Sequence, residues 1–122
     1  SRERSTEILK LADGLGIHVA WLPFESEPPR CDLMVSTVPA DSLMRRAEDL
    51  TARADAVFDV VYDPWPTPLA VAGKIAGATV IDGLDLLAGQ AVGQVQLMTG
   101  YPVPMDVLRS TAQNGLAEHT RL

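Results

Sequence analysis

The chain of 122 residues holds one cysteine, Cys31, which excludes an internal disulfide and suits a reducing compartment. It has two histidines, His18 and His119, and with a single cysteine they offer no metal-ligand spacing. Basic residues are in the minority. Ten Lys and Arg stand against 16 Asp and Glu, a net charge of −6, which argues against a nucleic-acid surface because phosphate binding needs clustered cations. A small anion is still allowed, since one or two arginines and a helix N-terminus are enough to hold it. No apolar run approaches the length of a membrane span, and no basic-then-apolar leader is visible. The expectation is therefore a cytoplasmic protein with no membrane or nucleic-acid partner. The G-x-G-x-x-G turn of dinucleotide sites is missing too, as are G-x-S-x-G and any usable Ser/His/Asp set.

What is present reads as one α/β domain. Hydrophobic residues are 47% and charged residues 21%, ordinary for a globular protein, and a chain this long buries enough surface to fold without staples. Helical spacing predicts helices over 2–13, 41–52, 67–76, 84–99 and 104–118. Thr67 caps the third with Pro68 at its first position. Strands are expected at 17–21, 31–37, 56–62 and 78–82. The last three are nearly continuous apolar runs, as in a parallel sheet covered by helices on both faces. A doubly wound domain normally begins with a strand, whereas this chain begins on a helix. Either this is a small complete α/β domain that binds no dinucleotide, or the sheet is truncated and its first β-α unit and following strand lie outside the chain; the motifs below favour the second.

Ligands of such sheets sit beyond the carboxyl ends of the strands. That singles out Ser36-Thr37, Tyr62-Asp63 and Asp82-Gly83. Tyr62 either points its phenol into the crevice or caps the core with its hydroxyl in water. Asp63-Pro64 keeps the chain extended after it. Gly83 lets a ligand approach the backbone closely. The helix from 84 is apolar nearly all round and is expected to be buried on both sides. Gln90 lies within one of its stripes, and a buried amide there must bond either to protein or to ligand. Arg2 and Arg4 form either a solvated basic turn or a phosphate contact. Asp59, Asp63, Asp82 and Asp85 could in principle gather a magnesium ion, but Asp59 lies within its strand, and single acids at strand ends are more often helix caps.

These motifs together resemble the shikimate dehydrogenase family. "DVVYDPWPTPL" at 59–69 is similar to its D-x-x-Y-x-P-x-x-T-P-L element, and "GATVIDGLDLLAGQA" at 77–91 to its G-A-x-x-x-D-G-L-x-M-L-x-x-Q-A element. "VSTVP" at 35–39 is similar to the strand-end N-T-T-P, and "SRERSTEILKLA" to the segment bearing the N-R-T-x-x-R adenosine-phosphate motif. The resemblance covers essentially the whole chain and implies the C-terminal part of the cofactor-binding domain plus its closing helices. It implies NADP as cofactor, with NAD less favoured, and shikimate or 3-dehydroshikimate as the small-molecule partner. Tyr62 and Gln90 would bind substrate. Ser1, Arg2, Arg4, Thr37, Val38, Val60, Gly83 and Leu86 would bind cofactor. The catalytic lysine and its aspartate would belong to an N-terminal substrate domain outside this chain. By that reading no catalytic residue is present here, and the chain alone would be inactive, with a homodimer among its allowed assemblies. Ser36 departs from the motif's asparagine, Val38 from a threonine, Asp85 from a glycine and Leu86 from a methionine. These departures keep NAD, and quinate in place of shikimate, open.

Overall fold

A computed structural model describes residues 2–119. Helix α1 spans Arg2–Gly14, strand β1 Cys31–Ser36, helix α2 Ala47–Thr51, strand β2 Ala54–Asp59, helix α3 Pro68–Ala76, strand β3 Thr79–Ile81, helix α4 Gly83–Thr99 and helix α5 Met105–His119. The strands form a parallel sheet in the order β1-β2-β3. Both crossovers step in the same direction, and right-handed connections then place α2 and α3 on one face. The two helices pack on each other and on β2. The core lies between them and the sheet: Val57 at its centre, with Leu43, Ala47, Ala54, Leu69 and Ala72 around it. On the other face Leu33, Val35 and Ile81 remain substantially exposed.

Local signals set the element ends. The Thr67 side chain accepts the Ala70 N–H at 3.1 Å, Pro68 occupies the first turn, and Gly77 stops α3 at φ 80°. Gly100 ends α4 in the same way, at φ 77°. The Asp63–Pro64 and Trp65–Pro66 peptide bonds are cis. No helix among the described residues is long and apolar enough to cross a membrane.

Three expectations need correction. Residues 17–21 form no strand, and His18 is therefore not a mid-strand residue. A strand exists only where its N–H and C=O groups meet a partner edge. This stretch instead folds back on α1, Ile17 N–H donating to the Ala12 carbonyl at 2.8 Å. The helix expected over 41–52 is broken into a 3-10 turn, Ala40–Leu43, and the short α2. Arg46 leaves the helical region at φ −123°, while its guanidinium donates to the Ser26 carbonyl at 2.9 Å and lies over the Phe24 ring. The loop contact outweighs helical continuity there. The strand expected over 56–62 runs from Ala54 to Asp59, so Tyr62 lies three residues past its end.

Candidate functional site

The three strand ends lie side by side. Ser36 and Asp59 are register partners, and Val60 N–H extends the ladder by donating to the Ser36 carbonyl at 3.1 Å. Phe58 pairs with Ile81, which brings Asp82 and Gly83 alongside the Val60–Tyr62 segment. A Cβ built on Gly83 would lie 2.2 Å from the Val60 carbonyl oxygen and 3.1 Å from Cδ1 of Tyr62. Glycine is required at 83 by this close approach, and the close neighbour is the chain itself. Tyr62 is thus seated against the Asp82–Gly83 turn, with its side chain half-exposed at the sheet edge.

The loop that carries Tyr62 is closed at its base. The buried Thr67 hydroxyl donates to Oδ2 of buried Asp59 at 2.7 Å while accepting from Ala70 N–H. Oδ1 of Asp59 accepts the Val61 N–H at 3.3 Å. Residue 59 opens the loop and residue 67 ends it, so one side-chain pair clasps the two ends.

A second polar cluster secures the other strand end. Asp82 is the N-cap of α4 and forms a reciprocal box with Asp85. Asp85 N–H donates to Oδ1 of Asp82 at 2.8 Å, and Asp82 N–H to Oδ2 of Asp85 at 3.1 Å. Arg109 of α5 binds both acids, Nη2 to Oδ2 of Asp82 and Nε to Oδ1 of Asp85, each at 2.6 Å. Burial pushes the Asp85 carboxyl up. The hydrogen bonds from Arg109 and from the Asp82 backbone, with the nearby positive charge, outweigh it and hold the carboxyl below its ordinary value. The hydrogen bond to Asp85 raises Arg109 in turn, against its own desolvation. No group of three or more His, Cys, Asp or Glu suited to a metal ion occurs among the described residues.

Thr37, Val38, Leu86 and Gln90 are exposed, and Val60 is partly buried. The exposed Gln90 corrects the expectation of a buried amide. Of α4 only Gly83, Leu84 and Ala88 are buried. The helix packs against α5, and its stripe of Leu86, Gln90, Gly93 and Leu97 is exposed. Arg2 and Arg4 are exposed on the first turn of α1, and no hydrogen bond or ion pair among the described residues joins them to the strand ends. Ser1 lies outside the described residues. The sequence reading missed the Asp59–Thr67 clasp and Arg109. The D-x-x-D spacing at 82–85 signalled the capping box, but nothing local to residue 109 signalled its partners.

No family model matches the chain. A shikimate dehydrogenase (NADP(+)) of Methanocella arvoryzae is 35% identical over 89 residues, covering 70% of this chain and 33% of that protein. One of a Synechococcus species is 38% identical over 114 residues, covering 82% and 40%. The crystal structure of a shikimate 5-dehydrogenase from Mycobacterium fortuitum superposes with a TM-score of 0.75 at 35% identity, covering 90% of this chain and 42% of that one.

This chain is a homologue of the shikimate dehydrogenases. Its parallel sheet with flanking helices is the Rossmann-like architecture shared with those structures. The chain spans about a third of the length of the curated shikimate dehydrogenases it matches.

Proposed function

We propose that this chain forms the cofactor-side wall of the active-site cleft of a shikimate dehydrogenase, which reversibly reduces 3-dehydroshikimate to shikimate with NADPH. The observation that carries the reading is the seating of Tyr62 against Gly83 at the carboxyl edge of the parallel sheet, beside Ser36 and Thr37. The names of the similar proteins support the substrate and the cofactor.

The residues fit the nicotinamide end of such a cofactor. Ser36 Oγ is buried without a hydrogen-bond partner among the described residues, a polar group that the chain itself leaves unused at this edge. Thr37, Val38 and Leu86 offer exposed, mainly apolar contact beside it, and Gly83 and Val60 offer backbone groups. When bound, NADPH supplies the hydride. Tyr62 and Gln90 orient the substrate by hydrogen bonds, and Val38 and Leu86 exclude water from the reacting face. Arg2 and Arg4, with Ser1, are assigned to the adenosine phosphate. No residue in this set moves a proton. The acid-base group is assigned to a substrate domain outside the chain.

The test uses the complete protein that carries this chain, and follows absorbance of the reduced cofactor with shikimate or quinate and NADP⁺ or NAD⁺. Turnover of shikimate with NADP⁺ is expected. Tyr62→Phe removes one hydrogen bond to substrate and is expected to lower kcat/KM about three- to tenfold. Unchanged kcat and KM would overturn the role of Tyr62. Preference for NAD⁺ or quinate would move the protein to a quinate-type branch, a result the exposed, unanchored Arg2 and Arg4 make worth testing. No turnover with any pair would leave a non-enzymatic binding module.

A further inference from the structure

We propose that Arg109 is a positioning residue. From α5 it fixes the Asp82–Gly83 strand end, and through Gly83 the Val60–Tyr62 edge. The proposal rests on reading that edge as the cofactor and substrate wall.

The four carboxylate oxygens of Asp82 and Asp85 each receive one donor. Two of the donors are the backbone N–H groups of the capping box, and two are the Nε and Nη2 groups of Arg109. The set is closed, with one planar cation fitted to two acids, a task the guanidinium fork performs and a lysine point charge does not. The acids suit the positive end of α4, yet they repel one another within a single helical turn. Arg109 offsets that repulsion. Asp82 is buried, so its carboxylate has little recourse to water if the cation is lost.

The geometry then carries the effect to the ligand wall. Gly83 directly follows Asp82 and lies within the box. Its Cα leaves no room for a Cβ against the Val60 carbonyl and the Tyr62 ring. An Asp82 freed to rotate shifts Gly83, and Gly83 has no slack before it meets Val60 and Tyr62. Helix α5 has no sequence motif for substrate or cofactor, and Arg109 gives it a part in the site.

The experiment compares Arg109→Met and Arg109→Lys with the parent in the complete protein, by hydrogen–deuterium exchange and steady-state kinetics. In Arg109→Met, amides of residues 82–86 and 60–62 are expected to exchange at least about tenfold faster, while those of 54–58 in β2 stay protected. Arg109→Lys is expected to fall between, and millimolar guanidinium is expected to restore part of the kcat lost in Arg109→Met. Unchanged exchange at 82–86 and 60–62 would overturn the proposal. A uniform rise that includes 54–58 would do the same, since it marks a merely structural role. Should Arg109→Met not fold, Asp85→Asn leaves one acceptor oxygen for two donors, Arg109 Nε and Asp82 N–H, and is judged by the same amides. Absence of turnover in the parent would refute the proposed function alone, and the exchange pattern would still decide the role of Arg109.

Discussion

Thr67→Val removes one hydroxyl and leaves the side-chain volume nearly unchanged, so its cost reports polar contacts only. The hydroxyl does two things. It accepts the Ala70 N–H, and losing an N-cap of this kind costs about 1 kcal/mol. It also donates to Oδ2 of Asp59, which is 1% exposed and has no route to water. A hydrogen bond to a charged group of this sort is worth about 1.5–3 kcal/mol, and the stranded acceptor incurs the cost in full. Together the substitution is expected to destabilise by about 2.5–4 kcal/mol, read as a lower urea midpoint at unchanged slope. Asp59→Asn keeps an acceptor for the hydroxyl and should cost less. In a double-mutant cycle with Asp59→Ala, which removes the acceptor altogether, the pair should couple by at least about 1 kcal/mol. A loss below about 1 kcal/mol for Thr67→Val, or a coupling near zero, would refute the clasp. The same variant should loosen Tyr62, because the clasped residues are the two ends of its loop.

Two further outcomes are expected. Gly83→Ala forces a Cβ to within 2.2 Å of the Val60 carbonyl oxygen, a backbone contact that no rotamer relieves. Overpacking of this kind costs about 1–3 kcal/mol or more; a variant with parental stability would show that the strand ends are not in contact. Asp85 has a depressed pKa in the folded state, so its pairing with Arg109 and Asp82 adds stability that is fully present above the ordinary carboxylate value of 3.8 and is lost as pH falls through the lower folded value. Stability-against-pH curves of the parent and Arg109→Met should therefore converge in acid and separate above about pH 4. Parallel curves down to pH 2 would contradict the assignment.

Features set by a few adjacent residues were legible in the sequence. Thr67 with Pro68 marks the start of α3 through backbone chemistry confined to one turn, and both act as read. The three paired strands were legible because their apolar runs are continuous. Contacts between distant segments were not. Arg46 breaks a helix whose spacing was sound, by bonding 20 residues back to Ser26. Arg109 reaches 27 residues back to Asp82, and its own helix shows no motif for it. The Asp59–Thr67 clasp spans only eight residues, yet Asp59 faces inward on a strand that otherwise reads as apolar.

Apolar periodicity states which face of an element requires cover, not what provides it. The stripe of Ile8, Leu11 and Leu15 has helical spacing, yet each of the three is well exposed. Leu86 and Leu97 on α4, and Leu33 and Val35 on β1, show the same mismatch. Residues 17–21 carry the right composition for a strand and find no edge to pair with. In each case the local pattern is sound and the covering surface is not among the described residues. Gln90 follows the same logic: it sits on the uncovered stripe of α4, so the spacing that suggested a buried amide instead leaves it accessible to a ligand. The strand ends escape this ambiguity. They are fixed by the sheet register and by the Gly83 contact, both satisfied within the chain. The site is therefore better determined by these residues than the faces around it, and substitutions at Thr67, Gly83 and Arg109 test it most directly.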